Sequence, residues 1–208
     1  MIQSKNLAIV LALVGLLTTS GIANADAKFY MEVGGVMGDP SDASAEFTTE
    51  NTGAAWGFDD MLGAKLQFGG DFGHVRTDVK MRYLEGGIDS ISGGVSGITD
   101  DEVHIGVATV NVYFDIYDFK AEGSEVGVTP YVGIGVGYAA GFMEADGTLG
   151  GVVRTDHRND RGSALSGVIG ALFSATDNIG LTAEYERLDT GVGGVDANNY
   201  SLGLRLTF

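Results

Sequence analysis

The sequence predicts an all-β protein, an eight-stranded antiparallel up-and-down transmembrane β-barrel. Three observations predict it. Apolar and polar residues alternate with period two through most of the chain after residue 26. Within the runs 29–33, 62–68, 75–83, 165–173 and 179–185 the apolar parity carries no charge. The one long apolar run lies at the N-terminus, and it falls short of the roughly 20 residues that a membrane-crossing helix needs.

Composition narrows the class further. The chain has 208 residues with Gly 34, Pro 2 and Cys 0. Abundant Gly without Pro or a G-X-Y period excludes collagen and argues against a disordered linker. The absence of Cys excludes a disulfide framework, a Cys-ligated metal and thiol catalysis. A formal net charge of −16 excludes nucleic acid as an electrostatic partner.

Residues 1–25 read as a secretory signal peptide. Lys5 is the basic start, Leu7–Leu17 the apolar stretch, and Ala23-Asn24-Ala25 the small-residue cleavage site. Residues 26–208 then form the barrel domain, with a mature charge of −17 once Lys5 is removed.

Eight segments have the length of a tilted membrane strand, about 9–11 residues or somewhat more. They lie near 28–37, 59–69, 74–86, 102–115, 128–142, 163–175, 179–189 and 198–208. The first places Phe29, Met31 and Val33 on one face and Glu32 on the other. The second alternates Leu62, Ala64, Leu66 and Phe68 with Lys65. In the third, Val75, Val79, Met81 and Tyr83 alternate with Arg76, Asp78, Lys80 and Arg82.

The fourth segment has two phases. Val110, Val112 and Phe114 set one, and Val103, Ile105 and Val107 the other. A bulge, or a first half above the membrane, would reconcile them. The fifth carries Val132, Ile134, Val136, Tyr138 and Phe142 against a glycine-rich face. Leu165, Ile169 and Phe173 mark the sixth. In the seventh, Ile179, Leu181, Ala183 and Tyr185 oppose Glu184 and Glu186. The last sets Tyr200, Leu202, Leu204, Leu206 and Phe208 against Arg205.

A soluble sandwich shows the same alternation, with its apolar face inward. Here the polar parity is crowded with Gly, Ala, Ser and balanced charges, which suits a narrow interior. The apolar parity carries large residues and follows an export leader. The reading is therefore inverted, with apolar side chains toward lipid, where a charge costs about 2–4 kcal/mol at the midplane. Closure follows, because hydrocarbon tolerates no open sheet edge. Glu32, Asp78, Glu184 and Glu186 are expected to pair with Lys65, Arg76, Lys80, Arg82 and Arg205 in a lumen network.

Connections near 38–58, 87–101, 143–162 and 190–197 are assigned to the outside. Those near 70–73, 116–127 and 176–178 are assigned to the periplasm. The outer connections and rims hold most of the acidity, including Asp39, Asp42, Glu46, Glu50, Asp59, Asp60, Asp100, Asp101, Glu102, Glu144 and Asp146. Residues 154–161 (RTDHRNDR) are an exception that mixes both signs. Phe29, Tyr30, Tyr83, Phe114, Tyr117, Phe142, Phe173, Tyr185, Tyr200 and Phe208 are candidates for interfacial girdles.

No constellation carries chemistry. His74, His104 and His157 share no metal-ligand spacing, so no metal and no cofactor is expected. The glycines of 133–137 lie inside a strand, outside any strand-to-helix turn. Residues 162–167 lack the turn that a nucleophile elbow requires.

Residues 110–116 (VNVYFDI), 129–139 (TPYVGIGVGYA), 178–191 (NIGLTAEYERLDTG) and 200–208 (YSLGLRLTF) resemble the small eight-stranded outer-membrane β-barrel family. This family takes in porin-like proteins, surface antigens and the barrel domain of outer membrane protein A. The resemblance implies a bacterial outer-membrane location, with outer-membrane lipid, periplasmic chaperones and the barrel-assembly machinery as partners. It also implies that Tyr200, Leu202, Leu204, Leu206 and Phe208 form the assembly signal. Some such barrels modify lipid A, which would require His104 with Ser90, Ser92 or Ser96. The expected function is structural and surface-exposed, non-enzymatic, with a host or environmental ligand at the outer loops. The alternative is a narrow porin-like channel.

Overall fold

The computed structural model describes residues 27–40, 45–49, 52–91, 96–120, 124, 126–149, 152–192 and 196–208. Residues 1–25, read above as a signal peptide, lie outside the described residues. The strands in chain order are β1 (Lys28–Asp39), β2 (Ala45–Thr49), β3 (Thr52–Phe58), β4 (Met61–Asp71), β5 (Val75–Gly86) and β6 (Ile88–Ile91). They continue as β7 (Ser96–Asp115), β8 (Phe119–Lys120), β9 (Gly127–Leu149), β10 (Val152–Ser174), β11 (Ile179–Asp189) and β12 (Asp196–Thr207).

Eight of these make the barrel, in the ring order β1, β4, β5, β7, β9, β10, β11, β12, every neighbouring pair antiparallel. The ring closes where β1 meets β12, from Tyr30 opposite Thr207 to Asp39 opposite Asn198. The apolar face points outward: Leu202 is 71 % exposed, Ile134 68 % and Phe208 73 %. Such exposure would be untenable in water and is what hydrocarbon requires.

Three expectations need correction. First, β7 runs in unbroken register against β5 from Val103 to Phe114, with no bulge there. Val103, Ile105 and Val107 face inward and are buried. The inward face of β7 is apolar at Val103, Ile105 and Val107 and polar at Thr109, Asn111 and Asp115, while Glu102 and His104 face outward, so hydropathy alone could not fix its phase. Second, the 143–162 connection is mostly paired strand. The β9–β10 ladder runs on from Phe142 opposite Asn159 to Leu149 opposite Val152. Beyond the hydrocarbon either face of a strand tolerates charge, so the ladder persists after the hydropathy signal ends. Strands of 23 residues greatly exceed the 9–11 needed to span. Third, Tyr30 points into the barrel at 2 % exposure, not into a girdle.

Two other connections assigned to the outside, 38–58 and 87–101, also carry short strands. β2, β3 and β6 form a separate three-stranded sheet, and β8 pairs with β9 on the opposite side of the barrel.

Inward glycines let the walls approach. A Cβ at Gly137 would strike the Ala108 carbonyl oxygen, whereas one at Gly167 would meet nothing within 4 Å. Gly137→Ala is expected to lose about 1–3 kcal/mol from overpacking. Gly167→Ala should change stability by less than about 0.5 kcal/mol. Urea unfolding of the vesicle-folded protein measures both, and equal losses would contradict the geometry.

Candidate functional site: the barrel lumen

The pleat delivers every second residue of each barrel strand to the interior. Glu32 comes from β1, Lys65 and Gln67 from β4, and Arg76, Asp78, Lys80 and Arg82 from β5. Glu184 and Glu186 come from β11, and Arg205 from β12. All are buried. β5 and β11 stand four places apart in the ring of eight, so they face each other across the axis. The basic ladder of one wall therefore confronts the acidic ladder of the other.

The side chains form one continuous zigzag of alternating sign. Arg205 holds Glu32 at 2.9 Å, and Glu32 holds Lys65 at 2.8 Å. Lys65 reaches Glu184 at 2.5 Å, and Lys80 reaches the same Glu184 oxygen at 3.1 Å. Lys80 also lies 3.8 Å from Glu186, which pairs with Arg82. Hydroxyl groups take up further carboxylate capacity: Thr182 donates to Glu32 at 2.6 Å, Tyr131 to Glu184 at 2.9 Å and Ser201 to Glu184 at 3.2 Å. The Gln67 amide fits between Glu32 and Lys80. Its nitrogen donates to Glu32 at 2.8 Å and its oxygen accepts from Lys80 at 3.2 Å.

Two members of the expected set lie apart from the zigzag. Arg76 makes a forked pair with Asp115, with Nη2 and Nε at 2.7 and 2.9 Å from Oδ1. Asp115 was missed because the phase of β7 was ambiguous. Extending the inward parity of Val103, Ile105 and Val107 to the strand end would have found it. Asp78 is not in an ion pair among the described residues. It accepts hydrogen bonds from Asn111 at 2.6 Å and from the Tyr30 hydroxyl at 3.0 Å. The expectation of a cation partner for Asp78 is corrected accordingly, because neutral donors satisfy it.

The lumen is layered along its axis. At the end that carries the 70–73 and 176–178 connections Arg205 stacks over Tyr30 at 4.1 Å and Arg76 over Tyr131 at 4.3 Å. Tyr131 meets Tyr113 edge-on at 5.6 Å. Glycines make room for these rings, with Gly69 beneath Tyr30, Gly133 beneath Tyr113 and Gly170 beneath Tyr131. Below lies a vestibule of about 400 Å³, whose lining includes Asp115, Asp118, Lys120 and Arg205. The charged zigzag fills the middle. Above it comes an apolar layer of Val36, Met61, Leu84, Val103, Ile105, Val107 and Leu188, all buried. Where the two layers meet, both amide atoms of Asn199, Nε of Arg82 and Oε1 of Glu186 lack a protein partner among the described residues.

Among the described residues, His74 lines the vestibule and no histidine joins the charged zigzag. His104 lies on the outward face at the outer rim, stacked between Tyr83 and Phe142 with centroids 5.8 and 6.4 Å away. Its Nδ1 is 2.8 Å from the Tyr83 hydroxyl and its Nε2 3.3 Å from Glu102. His74 stacks on Phe114. The side chains of His157, Ser90, Ser92 and Ser96 are outside those described.

The family described as "Outer membrane protein beta-barrel domain" matches residues 9–208. The chain belongs to that family. Among solved structures it is similar to the outer membrane protein OprG of Pseudomonas aeruginosa, at 12 % identity and TM-score 0.57, covering 90 % of this chain and 98 % of that one. It is also similar to Ail, the attachment invasion locus protein of Yersinia pestis, at 16 % identity and TM-score 0.50, covering 88 % and 99 %. These likenesses establish the fold. No curated protein sequence matches the chain.

Glu184→Gln leaves Lys65 and Lys80 short of a buried counter-charge, and should cost about 3–5 kcal/mol. The exposed Glu102→Gln should cost less than about 0.5 kcal/mol. Arg76→Met alone strands Asp115. The double variant Arg76→Met/Asp115→Leu should recover most of that loss, and urea unfolding in vesicles reads the cycle. Losses that simply add would remove the coupling.

Proposed function

We propose that this outer-membrane barrel is a structural, surface-exposed protein whose lumen is filled and does not conduct, and that it carries no enzymatic activity. The carrying observation is the zigzag from Arg205 to Arg82, which crosses the axis beneath an apolar layer. An ion entering from above has to pass the buried Val103, Ile105 and Leu84 to reach the charged zigzag. From below it meets the stacked tyrosines and arginines. Conduction would require buried partners to separate, each at the cost of an uncompensated charge.

The long connections stand outside, as bacterial barrels of this type arrange them. Their acidic residues then face the surroundings. That surface suits a neutral or cationic host or environmental ligand and repels polyanions. Ail, by contrast, has been solved with the heparin analogue sucrose octasulfate. Residues 1–25 serve as the export signal, with periplasmic chaperones and the barrel-assembly machinery as transit partners. Tyr200, Leu202, Leu204, Leu206 and Phe208, all outward-facing on the closing strand and its end, form the signal that the assembly machinery reads.

In planar bilayers the wild-type protein should give no stable conductance steps, and reproducible large steps would establish the narrow porin-like channel instead. Deleting Phe208 should lower the fraction of cellular protein that shows heat-modifiable migration. An unchanged fraction would remove the assembly role.

A further inference from the structure

We infer that the vestibule is a binding site for a short peptide with free termini, a zwitterion whose ammonium and carboxylate stand apart. The site is blind. Its inner end is closed by the buried rings of Tyr30, Tyr113 and Tyr131, so a ligand enters and leaves by one mouth. Its volume of about 400 Å³ falls in the range of small-molecule sites. This goes beyond the structural reading above and does not depend on whether the lumen conducts.

The ring order sorts the charges of this vestibule onto two walls. β12 stands four places from β7, and β1 four places from β9. Arg205 of β12 and Lys28 of β1 therefore share one wall. Asp115 at the end of β7 lies on the other, with Asp118, which accepts a hydrogen bond from Thr129 of β9 at 3.1 Å. Several charges are already engaged. Both Asp115 oxygens accept from Arg76, and Lys120 holds Asp177 at 3.2 Å across the mouth. Asp71, between the walls on β4, accepts from the Gly73 amide at 2.9 Å. Arg205 gives Nε and Nη2 to Glu32, and its Nη1 enters neither bond. This side chain lines the vestibule although it is only 3 % exposed. Lys28 and Asp118 form no ion pair among the described residues. One wall thus keeps uncommitted donors and the other an uncommitted carboxylate.

That division selects the ligand. A simple anion would be drawn to Lys28 and repelled by Asp118, and a simple cation the reverse. No group of three or more metal-ligating side chains occurs among the described residues. An apolar molecule would strip water from these charges without replacing its bonds. A zwitterion satisfies both walls, each end through a charge-assisted hydrogen bond. Walls on opposite sides of the ring also call for charges set apart. A free amino acid carries both on one carbon, whereas each added peptide residue separates them by about 3.3–3.6 Å.

The test is an NMR titration of the barrel in detergent micelles with triglycine, following the amides of Thr129, Gly180 and Thr207 along the vestibule. Their shifts should move and saturate. Triglycine acetylated at its amine, triglycine amidated at its carboxylate, and glycine itself should each bind about tenfold more weakly. Two variants of exposed residues, Lys28→Gln and Asp118→Asn, assign the ends. Each should weaken triglycine about tenfold while keeping heat-modifiable migration. Lys28→Gln should leave the amidated peptide unaffected, and Asp118→Asn the acetylated one. Shifts that never saturate, a capped peptide or glycine that binds as tightly as triglycine, or variants that weaken every ligand alike would each overturn the inference. The titration in micelles reads neither conductance nor which end of the barrel faces outward. Its failure therefore leaves the structural reading standing, and conductance steps in bilayers would leave this site untouched.

Discussion

Hydrocarbon offers a backbone amide nothing to bond to, and the rest of this structure follows from that deprivation. A sheet in such a solvent must leave no edge, so β1 finds β12 and the ring closes through rungs from Tyr30–Thr207 to Asp39–Asn198. Closure of eight strands fixes a narrow interior. The pleat then sends half of every strand into that interior and half into lipid. The outward half is selected by the membrane, while the inward half has to fill its own space.

The filling solves a problem of charge with geometry. Nine charged side chains of the expected set turn inward, and burial of any one alone would be prohibitive. Placing the basic ladder of β5 across the axis from the acidic ladder of β11 lets long Lys and Arg side chains reach partners that no local pairing supplies. Glycines under Tyr30, Tyr113 and Tyr131 allow aromatic rings to seal the base without pushing the walls apart. The apolar layer of Val103, Ile105 and Leu84 closes the upper end. Polar and apolar materials thus share one cavity in separate layers.

How much of this was legible depended on where lipid acts. Leu202, Leu204 and Ile134 declared their face because charge is excluded from that parity, and the partners of Glu32 and Lys65 could be guessed from the opposite parity. The pairing of Arg76 with Asp115 could not, because Val103, Ile105 and Val107 obscured the phase of β7. Tyr30 was ambiguous for a related reason: an aromatic near a strand end suits a girdle as well as a cation–π stack. The long β9–β10 ladder lay beyond the reach of hydropathy, since its outer half stands where both faces accept polar residues. Sequence also carries no distance across an axis, so the zigzag itself had to await the ring order.

The sequence separation of the lumen contacts has a kinetic meaning. Arg205 and Glu32 are 173 positions apart, and Lys65 and Glu184 are 119 apart. Neither bond can form while the first and last strands are separate. Hairpins can zip locally, and the Arg76–Asp115 pair between neighbouring strands can form with them, but the zigzag is gained only when the ends of the chain meet. Loop-closure entropy must be overcome before those contacts contribute. Insertion should therefore proceed through an open, interior-poor sheet, with the zigzag charges silent in the transition state for its early steps and felt mainly in the rate at which the finished cylinder reopens.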